Sequence, residues 1–559
     1  MLPYKYHRYL FLLGIALLVT GMLFSFALLS IAQITLASNW LLEGDFKRKA
    51  HELKQRRAIL LILSIYLVHL LGLINTGHFF GTLGELPLII AKAGFHEILP
   101  ALKTAALPQN FVFALHDLRI KLPLLALPLV FGTSRPLQKK EFKFILHLFV
   151  TSVLVSTFIS GFVLFGFSGK PPTDARYASL FISHIRFSLI IVLSIFSLLY
   201  LIFSNKFELY KREKIVSLII IAWLICFLIL LKSITGIVIF LLLLPVGAIW
   251  CASFQKNRMA VKTAKFASIF FLFGAIAYFI FSFFRYTQKY NAEISPKDLK
   301  TPNGNPYMHK PESEEYENGH KVWIYVCEKE LSKEWNRHSE FRYDSSDRKG
   351  QAVRTTLIRY LTSLGYTKDS LGISQLDEED IVMIESGYTN YLYKNKFALY
   401  PRLYEMFWEI EKYVKGADPS GYSLAQRIEY MKTGIQILKH NFWFGTGTGD
   451  IEQAFQQQYA SSGSKLKPEY RYRTHNQFFT FLLTFGIFGF LWILFALFAA
   501  PALEKKYSNF LFLTFFLIGV LSMFNEDTLE THVGVSFFAF FYSFILFSMP
   551  ENGSSQEKT

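Results

Sequence analysis

Apolar runs of membrane-spanning length alternate with short charged segments along most of this 559-residue chain. One long polar stretch, residues 285–475, breaks the alternation. A bilayer hydrocarbon core takes roughly 20 apolar residues as a helix. The pattern therefore predicts spans near 58–77, 119–133, 144–167, 179–203, 215–231, 234–254, 264–284, 476–499, 508–524 and 533–549. The apolar stretch 10–43 is too long for one span and has basic residues on both flanks, which predicts a tight hairpin of two helices. It lacks the small-residue cleavage site of a signal peptide. The expected fold is an all-α polytopic membrane protein of about twelve transmembrane helices. The segment 78–118 holds a further apolar piece, LPLIIAKAGF, which reads as re-entrant or interfacial.

Charge sets the expected orientation. Lys47, Arg48, Lys49, Lys54, Arg56 and Arg57 crowd 44–58; Arg135, Lys139, Lys140 and Lys143 come next. Lys206, Lys211, Arg212 and Lys214, then Lys256, Arg258, Lys262 and Lys265, and finally Lys505 and Lys506 mark every second loop. The loops between are poor in Lys and Arg, and 525–532 carries Glu526, Asp527 and Glu530 with neither. By the positive-inside rule the basic loops and both termini are cytoplasmic. The net charge of +16 is thereby accounted for without nucleic acid, and the 52% hydrophobic composition together with the apolar runs of membrane-spanning length excludes a soluble globule.

The polar stretch 285–475 then faces the other side. Trp323, Trp335, Trp408, Trp443 and many Tyr argue for a folded domain over a linker. Within it, Ser423-Leu424-Ala425-Gln426 matches a capping box. Leu424, Ile428, Met431, Ile435 and Leu438 recur at helical spacing, with Arg427 at the edge of the stripe as a salt-bridge partner or an anion clamp. Gly445-Thr446-Gly447-Thr448-Gly449 reads as a sharp helix-to-helix turn before a helix over 450–460, or more weakly as a phosphate cradle. Asp377-Glu378-Glu379-Asp380 reads as a solvated loop. Cys226, Cys251 and Cys327 offer no disulfide framework, and no spacing defines a metal site.

The exit from the polar stretch carries the candidate chemistry. Tyr470-Arg471-Tyr472-Arg473-Thr474-His475-Asn476-Gln477 leads straight into an apolar span. A histidine there lies at the membrane surface, as a polar anchor or as a base that titrates near neutrality. Deep ionisable residues are few. Arg119 and Lys121 at one span end, His184 and Arg186 at another, and Lys232 fall on the same face as Arg427, Arg471, Arg473 and His475. One cationic layer at one depth suits a lipid-linked pyrophosphate better than a transmembrane relay.

The stretch SLAQRIEYMKTGIQILKHNFWFGTGTGD followed by HNQFFTFLLTFGIFG resembles the O-antigen ligase and polymerase superfamily of bacterial membrane glycosyltransferases. An Arg-bearing helix, a Gly-rich turn and a His-Asn pair opening a span with Gly-Ile-x-Gly stand in that family's order. DLRIKLPLLALPL (117–129), HIRFSL (184–189) and NEDTLETHVGVSFFAFF (525–541) extend the resemblance. It implies a C-type glycosyltransferase architecture in a bacterial inner membrane: helices over 1–284, a periplasmic loop domain over 285–475, helices over 476–549 and a cytoplasmic tail at 550–559. It also implies transfer of a glycan from undecaprenyl pyrophosphate to an acceptor glycolipid or glycan hydroxyl, without metal, cofactor or nucleotide sugar. The acceptor expected for an O-antigen ligase is a lipid A-core sugar.

The resemblance places the catalytic histidine on His475 and the loop arginine on Arg427, with Arg186 as a further phosphate contact. Arg471, Arg473, Asn476, His184, Arg119 and Lys121 complete the expected binding set. One departure is Ile234, which stands where the family often has Arg before Thr-Gly; nearby Lys232 offers only a point charge. A repeat polymerase and a protein O-oligosaccharyltransferase remain open as alternatives, as do a transporter and a non-catalytic assembly protein. A transporter would be expected to carry midplane charges or inverted repeats.

Overall fold

A computed structural model describes residues 3–93, 107–167, 175–204, 206–253, 258–290, 299–395 and 398–550. The chain forms two compact units. One comprises residues 1–168, 178–268 and 416–559; the other comprises 169–177 and 269–415. Residues 416–475, the last part of the polar stretch, thus group with the apolar helices. Residues 94–106, where the apolar piece of 78–118 ends, and the tail 551–559 lie outside the described residues.

Helices account for nearly all regular structure in the first unit, and it is that of a polytopic membrane protein. Among the described residues, seven helices are long and apolar enough to cross a membrane: Tyr4–Phe24, Lys139–Leu164, His184–Phe203, Lys211–Leu230, Ile234–Ser253, Arg258–Thr287 and Gln477–Leu503. The pair Phe26–Leu42 and Phe46–Gln55, bent by 109°, makes an eighth candidate. Arg57–Leu71, Phe510–Met523 and His532–Phe547 are apolar but shorter. Gln109–Thr133 has the length, and carries Asp117, Arg119 and Lys121.

Several helix pairings frame the first unit. The expected N-terminal hairpin is present as Tyr4–Phe24 packed on Phe26–Leu42, turning at the extended Ser25. Arg57–Leu71 packs on Gln477–Leu503, and Gln109–Thr133 packs on His532–Phe547. His184–Phe203 lies among Lys211–Leu230, Ile234–Ser253 and Phe510–Met523, and its residues 187–198 are all buried. A helix apolar all round is stable only when surrounded. Side-chain hydrogen bonds join some neighbours, such as Trp223 Nε1 to Thr157 Oγ1 at 2.9 Å and Ser188 Oγ to Ser233 Oγ at 2.9 Å.

The second unit has a core of its own. Trp335, Val353, Leu357, Ile358, Leu361, Ile373 and Ile384 are buried together. Trp335 Nε1 donates to the Phe341 carbonyl at 2.8 Å, so the large ring is buried without an orphaned donor. A two-stranded hairpin, Tyr316–Glu317 with His320–Lys321, places the buried Glu317 against Arg359, Asn390 and Tyr404. The acidic run 377–380 is not a solvated loop. Asp377 caps the helix Glu378–Glu385, accepting from Asp380 N at 2.8 Å, and the remaining acids occupy its first turn, where carboxylates favour the helix dipole.

Candidate active site

His475 owes its position to its neighbours on both sides. Asn476 is the N-cap of Gln477–Leu503: its Oδ1 accepts from Phe479 N at 3.0 Å, while its Nδ2 donates to the Phe524 carbonyl at 3.0 Å. The residue before the cap must bend the chain into the helix, and His475 does so in the left-handed region at φ 50°. A non-glycine residue there is held by its surroundings. Here the holding group is Asp527, whose Oδ2 accepts from His475 N–H at 3.0 Å and whose Oδ1 accepts from Thr480 Oγ1 at 2.8 Å. The imidazole stacks on Tyr430, with centroids 5.5 Å apart and planes at 26°, and meets Tyr472 edge-on at 6.4 Å.

The carboxylates of the loop between Phe510–Met523 and His532–Phe547 organise the rest. Glu530 accepts from Gln477 Nε2 at 2.8 Å and forms ion pairs with Lys121 at 2.9 Å and Arg473 at 3.1 Å. Lys121 is fully buried and also pairs with Asp117 at 3.0 Å. Glu526 pairs with Arg427 at 2.8 Å through Oε1, and its Oε2 lies 4.0 Å from His475 Nδ1. That Nδ1 is buried with no hydrogen-bond partner among the described residues. Asn525 Nδ2 donates to Thr235 Oγ1 at 2.7 Å, tying the Ser233–Gly236 segment to the same loop.

Burial, foremost, depresses the His475 imidazole below its ordinary value of 6.5. Glu526 pulls the other way, and the guanidiniums of Arg427, Arg473 and Arg186 add to the depression. The group is therefore neutral at pH 7 and able to accept a proton. Burial also pushes the Asp527 carboxyl up, opposed by Arg473 and reinforced by Glu530. Burial works the same way on Glu530, but the charges of Lys121 and Arg473 and the Gln477 hydrogen bond outweigh it and hold that carboxyl well below the usual range.

The residues singled out from sequence divide into several groups. Arg427, Arg473, Arg186, Asn476 and His475 come together with the 525–530 loop. Arg186 stands in the first turn of His184–Phe203, and its Nε is buried without a hydrogen-bond partner among the described residues. Arg473 is committed to Glu530 and, at 3.6 Å, Glu452, and it lies over the Phe113 ring. Arg471 turns to a neighbouring core, donating Nε–H to the Leu466 carbonyl at 3.0 Å and lying over Tyr459. Lys121 is locked between two carboxylates. Arg119 is exposed on Gln109–Thr133, and its charge is felt at His532, while His184 opens its helix. Sequence reasoning gives Glu526, Asp527 and Glu530 no role in the site; three acids in one short loop opposite a face of arginines are the signal that points to them.

Two further expectations change. Ser423–Asn441 begins at Tyr422 as N-cap with no side-chain cap, and Gln426 Nε2 is buried unpartnered among the described residues, so the capping box is absent. The buried face of that helix is Ala425, Tyr430, Thr433, Gly434 and Ile437, while Ile435 of the expected stripe is exposed. Gly434 explains the choice: a Cβ there would meet Phe479 at 2.6 Å, so the helix approaches Gln477–Leu503 through its small residues.

The Gly-rich turn is a clasp. The amides of Thr446, Gly447 and Thr448 donate to the carbonyls of Leu483, Thr484 and Gly72, and Gly449 N donates to Thr76 Oγ1. No amide of 446–449 is left for a phosphate. Gly486, at φ 64° and ψ −172°, kinks Gln477–Leu503 where this turn crosses it.

A family model described as O-antigen ligase matches residues 397–494. That interval holds Arg427, the clasp, Arg473, His475 and the kink at Gly486. No curated protein matches the chain.

Proposed function

We propose, from the O-antigen ligase domain that the chain carries over residues 397–494, that this protein is an inverting glycosyltransferase. It takes a glycan from undecaprenyl pyrophosphate to an acceptor hydroxyl, of the O-antigen ligase type with a lipid A-core sugar as acceptor. The observation that carries this reading is the geometry at His475, stacked on Tyr430 with Glu526 4.0 Å from Nδ1 and itself paired with Arg427, while the charges of Arg473 and Arg186 also act on the imidazole. His475 accepts the acceptor's hydroxyl proton as that oxygen attacks the anomeric carbon. The carbon–oxygen bond to the pyrophosphate breaks, and the electron pair leaves with polyprenyl pyrophosphate. Arg427 and Arg186 stabilise the charge that develops there, the electrostatic task of an oxyanion site. No step calls for a metal.

In this reading twelve helices cross a bacterial inner membrane with both termini cytoplasmic. Arg57–Leu71, Gln109–Thr133, Phe510–Met523 and His532–Phe547 then join Phe26–Leu42 and the seven long helices. The site faces the periplasm, and the polyprenyl chain lies in the apolar surroundings. A repeat polymerase or a protein O-oligosaccharyltransferase would run the same chemistry on another acceptor. The test is reconstitution of purified protein in liposomes with a polyprenyl-pyrophosphate-linked glycan and candidate acceptors, in the presence of a chelator. Acceptor-dependent release of polyprenyl pyrophosphate with an inverted product linkage is expected. Its absence with every glycolipid, glycan and peptide acceptor, or product retaining the donor's anomeric configuration, contradicts the reading.

A further inference from the structure

We propose that Glu526 couples donor binding to base activation: it holds Arg427 in the empty site, is displaced from it by the donor's pyrophosphate, and then closes on His475 Nδ1. This rests on the reading of His475 as base and Arg427 as donor contact. The geometry that carries it is the sharing of one carboxylate. Oε1 of Glu526 is 2.8 Å from Arg427, while Oε2 faces His475 Nδ1 at 4.0 Å, about 1 Å beyond a charge-assisted hydrogen bond. Nδ1 is buried and unpartnered among the described residues, a position that favours any group able to satisfy it. Among the described residues the carboxylate within 4.0 Å of that atom is Glu526; Asp527 is already engaged by the His475 amide and Thr480.

The rest of the loop makes the exchange local. Glu530 is pinned by Lys121, Arg473 and Gln477, and Asp527 by two hydrogen bonds, so the backbone on one side of Glu526 is anchored. Its own amide donates to the Ser522 carbonyl at 2.9 Å, at the end of Phe510–Met523. Only the side chain needs to move. A pyrophosphate arriving at Arg427 competes for the same guanidinium and repels the carboxylate. The released carboxylate then orients the imidazole and stabilises the imidazolium that forms when His475 takes the acceptor's proton, as carboxylates do in other His-based sites. The proton leaves the acceptor oxygen, rests on Nε2, and is balanced by Glu526 at Nδ1.

The exchange has a pH signature. The charged and titratable groups facing His475 are Arg427 and Tyr430 from Ser423–Asn441, Arg186 from His184–Phe203, Arg473 and Tyr472 from its own segment, and Glu526 and Asp527 from the loop. In the empty site the guanidinium of Arg427 occupies Glu526. In the donor complex that carboxylate belongs to His475. The acid limb of kcat, which reports the complex, then lies at higher pH than the acid limb of kcat/KM, which reports the free enzyme.

The test is Glu526→Gln in the full-length reconstituted protein, with His475→Ala as control and polyprenyl-pyrophosphate-linked glycan as donor. The expected result is opposite movement of two constants. The donor KM falls about two- to fivefold because a competing half-buried ion pair is gone. At the same time kcat falls about tenfold or more, part of the roughly 10²–10⁴-fold that a positioned base supplies, and the acid limb of kcat moves down towards that of kcat/KM. Should Glu526→Gln fail to accumulate, Glu526→Asp, with the charge kept at shorter reach, is expected to show lower kcat with KM unchanged. A rise in KM together with a fall in kcat and no movement of the limb indicates a merely structural carboxylate and overturns the proposal, as does an unchanged profile. If His475→Ala itself transfers at the parent rate, the base assignment has failed; if it is inactive and Glu526→Gln shows no split, only the coupling has.

Discussion

Gly486→Ala is expected to be among the most damaging single-methyl additions in this chain. Gly486 sits inside Gln477–Leu503 at φ 64° and ψ −172°, a backbone region open in practice only to glycine. A Cβ there would lie 2.2 Å from the Trp443 carbonyl oxygen, 2.3 Å from its carbon and 2.4 Å from Phe444 N. All three are backbone atoms, so no rotamer change relieves the clash. The backbone conformation alone costs about 1–3 kcal/mol. Forcing the 443–446 turn away adds about 1–3 kcal/mol of overpacking, for about 2–6 kcal/mol together. The turn closes Ser423–Asn441, which carries Arg427, so donor handling is expected to suffer along with stability. The control is Gly274→Ala, in Arg258–Thr287, where a Cβ meets nothing within 4 Å. There the same methyl is expected to be neutral or to stabilise by about 0.5–1 kcal/mol, as alanine does in a helix. Apparent unfolding temperatures of both variants in one detergent at one scan rate make the comparison. A Gly486→Ala protein melting within a degree of the parent would refute the reasoning.

Three further expectations can be checked alongside. With His475 as the proposed neutral base and burial holding it below its ordinary 6.5, kcat/KM is expected to be full at neutral pH and to fall as pH drops through a value under 6.5; a limb above 7 contradicts this. Arg427→Lys and Arg186→Lys are each expected to impair transfer at normal protein levels, since charge is kept while the planar fork is lost; full activity of both points to salt bridges alone. Lys121→Met leaves Asp117 and Glu530 buried without that cation and is expected to cost about 3–5 kcal/mol. Adding Glu530→Gln is expected to recover part of that loss, read as thermal stability in detergent.

Where helices run was largely legible, because apolar length is written directly in the chain. The span expected near 234–254 is Ile234–Ser253, whereas the one expected near 533–549 is an apolar helix, His532–Phe547, of only 16 residues. Which face of a helix meets protein was not. In water an apolar stripe marks the core, but near lipid both environments accept apolar side chains, and packing is decided by small residues. Small residues decide in Ser423–Asn441 of the polar stretch as well: its Leu424–Leu438 stripe suggested one face, and Thr433 and Gly434 select another. His475 and Arg427 stood out by residue type and by the His-Asn junction. Glu526, Asp527 and Glu530 did not, since a short loop without Lys or Arg already reads as a non-cytoplasmic connection. Only their pairing with Arg427, His475 and Lys121, all far away in sequence, distinguishes a site from an address. Asn476 shows the converse. Its partners are an amide three residues on and a carbonyl at the edge of the 525–530 loop, so a residue expected to contact substrate is seen capping a helix.

The most direct measurement is glycan transfer by purified His475→Ala. Among the described residues the imidazole has no hydrogen-bond partner at Nδ1, and it is 36% exposed, so its removal is expected to leave insertion, accumulation and donor binding intact. Loss of a general base lowers the rate by roughly 10²–10⁴-fold. The expected result is a transfer rate down by about two orders of magnitude or more, with donor affinity close to that of the parent. Transfer at near the parent rate would contradict the base assignment and leave the match to the O-antigen ligase family model over 397–494 as a likeness without this chemistry.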